Sequence, residues 1–380
     1  HNSTRYLRSY VDFFAYRRHC RTMNGEKQET MKREIVLDER QKAYRAAGFV
    51  AFLTSLGLFL SRVFMQFVFD WLPTMDAATE DIVSDVIFDF LAQIVTLLVV
   101  PFFVYKFYLK KSAKEVFYMS NFRKTDPVIY LLAFLLGICA LILTMYVSYI
   151  WQVILLLFGF DGSSSTAMPE KFHLWHLILM LFLTAVLPAI CEEFANRGIF
   201  LTAMRCSFSK WQTVLIGGIA FGLFHQYISQ TFYTALMGML LTYLVLTTRS
   251  VIPACIVHFT NNAVSVVFDF IGEYSSLNTG SILSYVMTNQ PSLLMLLFAA
   301  AAGFGYLLIR AIKKRYAAYY VKNYTEFLKT GNQKYYENVL PAWEMGDVRY
   351  RPTLRDNAFL IAAIVLTAAY TVLTFVGGLF

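Results

Sequence analysis

Charge is scarce in this sequence. Only 15% of its 380 residues are Asp, Glu, Lys or Arg, against about 25% in soluble domains. That shortage argues against an ordinary soluble fold. Cysteines are few: Cys20, Cys139, Cys191, Cys206 and Cys255 are odd in number and lack metal-type spacing, which predicts reduced thiols buried in helices rather than a disulfide framework. There is no glycine-rich phosphate loop, which argues against an ATP-driven pump. The first 45 residues hold no early apolar core of the kind a cleavable signal peptide carries. No internal repeat and no low-complexity tract stands out.

Apolar residues dominate instead. The chain is 57% hydrophobic with a mean hydropathy of +0.51, and apolar runs of about 20 residues recur along nearly its whole length. Each run is long enough to cross a hydrocarbon core of about 30 Å as a helix, and backbone groups in lipid must bond within their own segment. The sequence therefore predicts an all-α polytopic membrane bundle of about nine transmembrane helices, over 46–70, 82–106, 127–158, 173–203, 211–227, 230–248, 251–272, 291–312 and 356–379. The implied organisation is a cytosolic basic extension (1–45), two accessory helices with a cytosolic loop (46–126), a membrane core (127–272), an outer loop with an eighth helix (273–312), a cytosolic basic segment (313–355) and a C-terminal helix (356–380).

The net charge of +8 does not point to nucleic acid, because the cations cluster between apolar runs as topology signals do. Residues 1–45 hold eleven Lys/Arg, 106–124 hold six and 310–355 hold ten, whereas 71–81 and 273–290 hold none and 159–172 hold Lys171 alone. This asymmetry places the protein in the cell membrane with its N-terminus in the cytosol and its C-terminus outside. Membrane lipids are its first partners, and Trp71, Trp151, Trp175 and Trp211 near the span ends read as interfacial anchors. The basic, tyrosine-rich 313–355 stretch reads as a cytosolic linker, with an amphipathic surface helix as the alternative.

Ionisable groups inside apolar spans are costly and call for an explanation. The fourth run carries Glu192, Glu193 and Arg197. Glu193 and Arg197 lie one helical turn apart and can pair, while Glu192 points about 100° away. A carboxylate without a cation is suited to act as a general base, and the same residues also fit a buried structural ion cluster. The fifth run carries Phe221 and His225 one turn apart, with Gly218 and Gly222 forming a stripe that permits close helix approach. The seventh carries His258 and Asn262, four apart and so facing one way. An imidazole and an amide on one face can both donate to a developing negative charge. Glu192 lies 13 residues from Arg205, His225 lies 15 from Lys210 and His258 lies 9 from Arg249. At about 1.5 Å per residue these are depths of roughly 20, 22 and 14 Å, a similar level on three separate helices.

The pattern Glu192-Glu193-x-x-x-Arg197, then Phe221-x-x-x-His225, then His258-x-x-x-Asn262 resembles the CPBP family of intramembrane proteases, the CAAX-protease and bacteriocin-processing group related to the Ras-converting endopeptidase. The resemblance covers about residues 127–272. It implies an enzyme, a CAAX-type endopeptidase that hydrolyses a peptide bond in a membrane-associated peptide or membrane protein. Glu192 and His225 would activate the water, and His258 and Asn262 would stabilise the oxyanion. Glu193 would support and assist, and Arg197 and Phe221 would hold the geometry. Members are often labelled metalloproteases, and Glu192, His225 and His258 are the candidate ligands of a divalent metal such as zinc. The sequence has no H-E-x-x-H motif, and a metal-free glutamate–water mechanism accounts for the same residues.

Two other function classes remain open at this level. A non-catalytic immunity or scaffolding member of the same fold would keep the cavity without turnover. A small-solute transporter would use Asp81, Asp85 and Asp89, spaced four apart in the second span, with Arg62 in the first. These polar residues also fit an outer-leaflet polar face with an Arg–Asp pair, and no repeat of broken helices supports transport.

Overall fold

A computed structural model describes residues 25–69, 77–160, 174–274, 289–331 and 349–377. Among these residues every regular element is helical. The elements are α1 (Gly25–Phe69), α2 (77–108), α3 (Ala113–Met119), α4 (Pro127–Leu157), α5 (Leu174–Arg205), α6 (Lys210–Phe224), α7 (Ile228–Thr248), α8 (Ile252–Tyr274), α9 (Pro291–Thr330) and α10 (Ala358–Gly377). Eight of them are long and apolar enough to cross a bilayer. The expected span at 211–227 is the shorter, 15-residue α6, about 22 Å long against a hydrocarbon core of roughly 30 Å.

Local signals account for where these helices begin and end. Asp126 accepts a hydrogen bond from the Val128 N–H, and Pro127 opens α4, which suits a position whose N–H would be unsatisfied anyway. Ser209 and Gln212 form a reciprocal capping box at the start of α6. Arg249, at a left-handed φ of 55°, stops α7. Two expectations are revised at the ends of the chain. Helix α9 runs on through 313–330 and stops at Gly331 with a φ of +64°, so the first part of the expected linker is helix; 332–348 lie outside the described residues. Helix α1 likewise begins at Gly25, inside the expected extension, whose residues 1–24 lie outside the described set.

The bundle is organised around α4, whose neighbours are α7, α8 and α9. Ile129, Leu136, Leu241, Leu244, Val257 and Ile312 form the main buried cluster there. Helices α6 and α7 make a tight hairpin, which glycine permits: a Cβ on Gly222 would lie 2.5 Å from the Thr231 carbonyl oxygen and 2.8 Å from the Ala235 Cβ. The small-residue stripe of the sequence is therefore a site of backbone contact. At the other edge α10 packs on α1. The Asp356 carboxylate ties the two together by accepting hydrogen bonds from Arg45 Nε (2.6 Å), Gln41 Nε2 (3.2 Å) and the Tyr350 hydroxyl, as well as from Thr353. Cys139, Cys191, Cys206 and Cys255 are free thiols; Cys20 lies outside the described residues.

Candidate active site

Helix α5 is not a uniform α-helix. Two stretches, Leu181–Val186 and Phe194–Phe200, are wound as π-helix, and they flank the α-helical turn Leu187–Glu193. Such wide turns recur at functional sites because they re-aim side chains. Here they bracket the adjacent carboxylates Glu192 and Glu193.

Glu193 is fully buried. Its Oε1 accepts a hydrogen bond from Arg197 Nη1 at 2.8 Å and lies 3.0 Å from His258 Nδ1. Arg197 makes two further contacts, although its Nε has no hydrogen-bond partner among the described residues. Its Nη2 donates to the Gly238 carbonyl at 3.2 Å on α7, and its guanidinium lies over the Phe221 ring at 4.1 Å. One ion pair thus joins α5, α6, α7 and α8.

Glu192 faces the same imidazole from the other side. Its Oε2 lies 4.0 Å from His258 Nε2, so His258 sits between the two neighbouring carboxylates. Gln93 Nε2, from α2, donates to Glu192 Oε1 at 2.9 Å. Oε2 is buried and has no hydrogen-bond partner among the described residues.

His225 caps α6 at the turn into α7, where Gln226 takes a left-handed φ of 58°. The break explains why the expected fifth span ends early. His225 Nδ1 contacts the Phe221 carbonyl at 2.8 Å. A carbonyl only accepts, so Nδ1 carries the proton and Nε2 is left as the acceptor. The Phe221 ring meets the rings of both His225 (4.9 Å) and His258 (5.9 Å) edge to face. Glu192 and His258 are both near enough to act on His225 electrostatically. Glu192, Glu193, Arg197, Phe221, His225 and His258 therefore form one cluster.

Asn262 stands one turn beyond His258 on α8. Its Nδ2 donates to the Thr184 carbonyl at 2.9 Å, and its Oδ1 accepts from Asn261 at 3.0 Å. Thr184 is two turns from Glu192 on α5, so Asn262 is fastened to the helix that carries the acids. Its contacts are with Thr184 and Asn261 rather than with His225 or Glu192.

Among the described residues no three His, Cys, Asp or Glu side chains come together as a metal-holding group. His225 Nδ1 and His258 Nδ1 are directed to Phe221 and Glu193.

Two residues join the site from outside the motifs. Arg62 on α1 donates from Nη2 to the His225 carbonyl at 2.9 Å, with its guanidinium 4.2 Å over the Tyr227 ring and 5.6 Å from both the Phe88 and Tyr370 rings. It caps the C-terminal end of α6 through that one carbonyl. Gln93 escaped notice because a lone amide in an apolar run has no motif, although it continues the four-residue spacing of Asp85 and Asp89. The acids themselves lie along α2, where Asp89 feels the charges of Asp85 and Glu192; the Asp81 side chain lies outside the described residues.

Comparison with known families agrees with this geometry. Residues 174–264 match the family model described as type II CAAX prenyl endopeptidase Rce1-like. The match runs from the start of α5 into α8 and contains every motif residue from Glu192 to Asn262. It is narrower than the expected 127–272, because α4 falls outside it. No curated protein and no solved structure shows a significant match to the chain. Fold and comparison thus define a multi-pass helical membrane bundle in which the segment 174–264 resembles a CAAX-protease core. The particular family that core matches is the Rce1-like endopeptidases, while α1–α4, α9 and α10 lie beyond the match.

Proposed function

We propose that the chain is a membrane-embedded endopeptidase that hydrolyses a peptide bond in a membrane-associated peptide or protein. The observation that carries this reading is the placement of His258 between Glu192 and Glu193, with Glu192 Oε2 left without a hydrogen bond. In the reaction Glu192 takes a proton from water while His225 Nε2 orients that water by accepting its other hydrogen. The hydroxide attacks the scissile carbonyl carbon. His258, with Nδ1–H held by Glu193, presents Nε2 to the oxyanion, and Glu193 stabilises the imidazolium form that donates there. The second N–H of Asn262 Nδ2 adds another donor; one such donor is worth about 10²–10³-fold in rate. The proton on Glu192 then passes to the leaving amine as the C–N bond breaks. Activity takes place in the cell membrane, with the N-terminus in the cytosol and the C-terminus outside, an orientation in which the short α6, paired with α7, serves as a ninth passage.

The test is a survey of new C-termini by mass spectrometry in membranes of cells carrying the wild-type protein or His225→Ala at equal levels. C-termini present with the wild type and missing with His225→Ala support the reading. Identical sets contradict it and favour a non-catalytic scaffold.

A further inference from the structure

We infer that Gln93 is a positioning residue for the Glu192 carboxylate, an assignment that rests on the reading of Glu192 as general base. Gln93 lies on α2, outside the segment that matches the endopeptidase family. It occupies the π-helical stretch Phe90–Val99, whose other members are almost all apolar. The residue is only 8% exposed. Burying an amide there costs free energy unless a partner compensates, and its one partner among the described residues is Glu192 Oε1 at 2.9 Å. The orientation of the amide follows from the chemistry. A carboxylate accepts only, so the N–H side must face it, and the opposite arrangement would set two oxygens against each other.

The contact selects between the two oxygens of the base. With Oε1 occupied by Gln93, the lone pairs of Oε2 remain for water, on the side of His258. A neutral donor is suited to this task. A lysine or arginine at the same place would pair with the carboxylate and weaken it as a base, whereas an amide holds it in place without cancelling its charge. Helix α2 would then supply an element of the catalytic geometry that the family-matching core does not contain.

The direct test needs no substrate. Infrared difference spectra between the purified full-length protein in liposomes and its Glu192→Gln variant isolate the carboxylate stretches of Glu192. The same difference taken in a Gln93→Met background should show those bands displaced, because Met matches the length of Gln and cannot donate. Superimposable bands would overturn the inference. In a turnover assay Gln93→Met should lower kcat about 10- to 100-fold, the range expected for losing a hydrogen bond to a charged group, with KM unchanged. Gln93→His, whose ring N–H reaches the same oxygen, should restore most of the rate. A wild-type kcat in Gln93→Met, or a loss that Gln93→His leaves unrepaired, also counts against it. Full cleavage by Glu192→Gln would instead refute the base assignment, and the infrared comparison would still decide whether Gln93 fixes the carboxylate.

Discussion

His258 Nδ1 lies 3.0 Å from Glu193 Oε1, and the same oxygen accepts the 2.8 Å hydrogen bond of Arg197. One buried carboxylate atom thus serves a cation that holds four helices together and an imidazole that faces Glu192. The arrangement separates the roles of the adjacent acids. Glu193 holds His258 Nδ1, and in the proposed mechanism Glu192 takes the proton.

Removing the cation should therefore unfold more than it inactivates. Arg197→Ala leaves Glu193 buried without its charge partner, at a cost of about 3–5 kcal/mol, and also strips the stacking on Phe221. Thermal unfolding in detergent and the yield of folded protein should both fall. Normal accumulation with wild-type heat stability and no activity would move Arg197 into the catalytic set.

Arg62 makes the opposite kind of contribution. Its single hydrogen bond caps α6 through the His225 carbonyl, and a cation at a helix C-terminus is worth up to about 2 kcal/mol. Arg62→Met should cost at most that much stability and yet reduce turnover by more than tenfold, because His225 sits at the loosened end. Activity equal to wild type would show that α6 holds His225 without a cap.

Much of this site is legible in the sequence because its motifs lie on regular helices. Four-residue spacing put His258 and Asn262 on one face, and depth counting brought Glu192, His225 and His258 to one level. What could not be read was contact across helices. The spacing turned Glu192 away from Glu193, but it could not show that both would address one imidazole from opposite sides. Gln93 and Arg62 reach the cluster from α2 and α1 through packing alone, and neither carries a motif. The expected span end at 227 lies three residues past the observed one because His225-Gln226-Tyr227 carries no Gly or Pro turn signal, while the turn there depends on the left-handed Gln226. The helix over 313–330 stood only as the alternative to a linker because its charged and tyrosine-rich surface resembles one once it leaves the apolar stretch.

Topology gives an independent check. Impermeant maleimide added to intact cells should label Gln290→Cys, an exposed position at the start of α9, and should label Lys314→Cys only after permeabilisation. The reverse pattern would invert the orientation and place the basic segments outside.

The knot at Asp356 predicts a pH dependence. Burial acts to raise its carboxyl, but hydrogen bonds from Thr353, Tyr350 and Arg45 outweigh it and hold the group well below the usual carboxylate range. A depressed folded value means the stabilisation is full above the unfolded carboxyl range near about pH 4 and is lost as the pH falls below it. Unfolding temperature should drop over that window in the wild type. Asp356→Asn should be less stable at neutral pH and show a shallower decline on acidification. Parallel pH curves would detach Asp356 from the α1–α10 contact.

The most direct measurement is cleavage by Glu192→Gln, with folded protein matched to the wild type by thermal unfolding. Glutamine keeps the shape and still accepts a hydrogen bond, but it cannot take a proton from water. General-base catalysis contributes about 10²–10⁴-fold, so the variant should assemble normally, with Gln93 and His258 still packed about it, and lose turnover by at least two orders of magnitude. Cleavage at the wild-type rate by a fully folded Glu192→Gln protein would contradict the account.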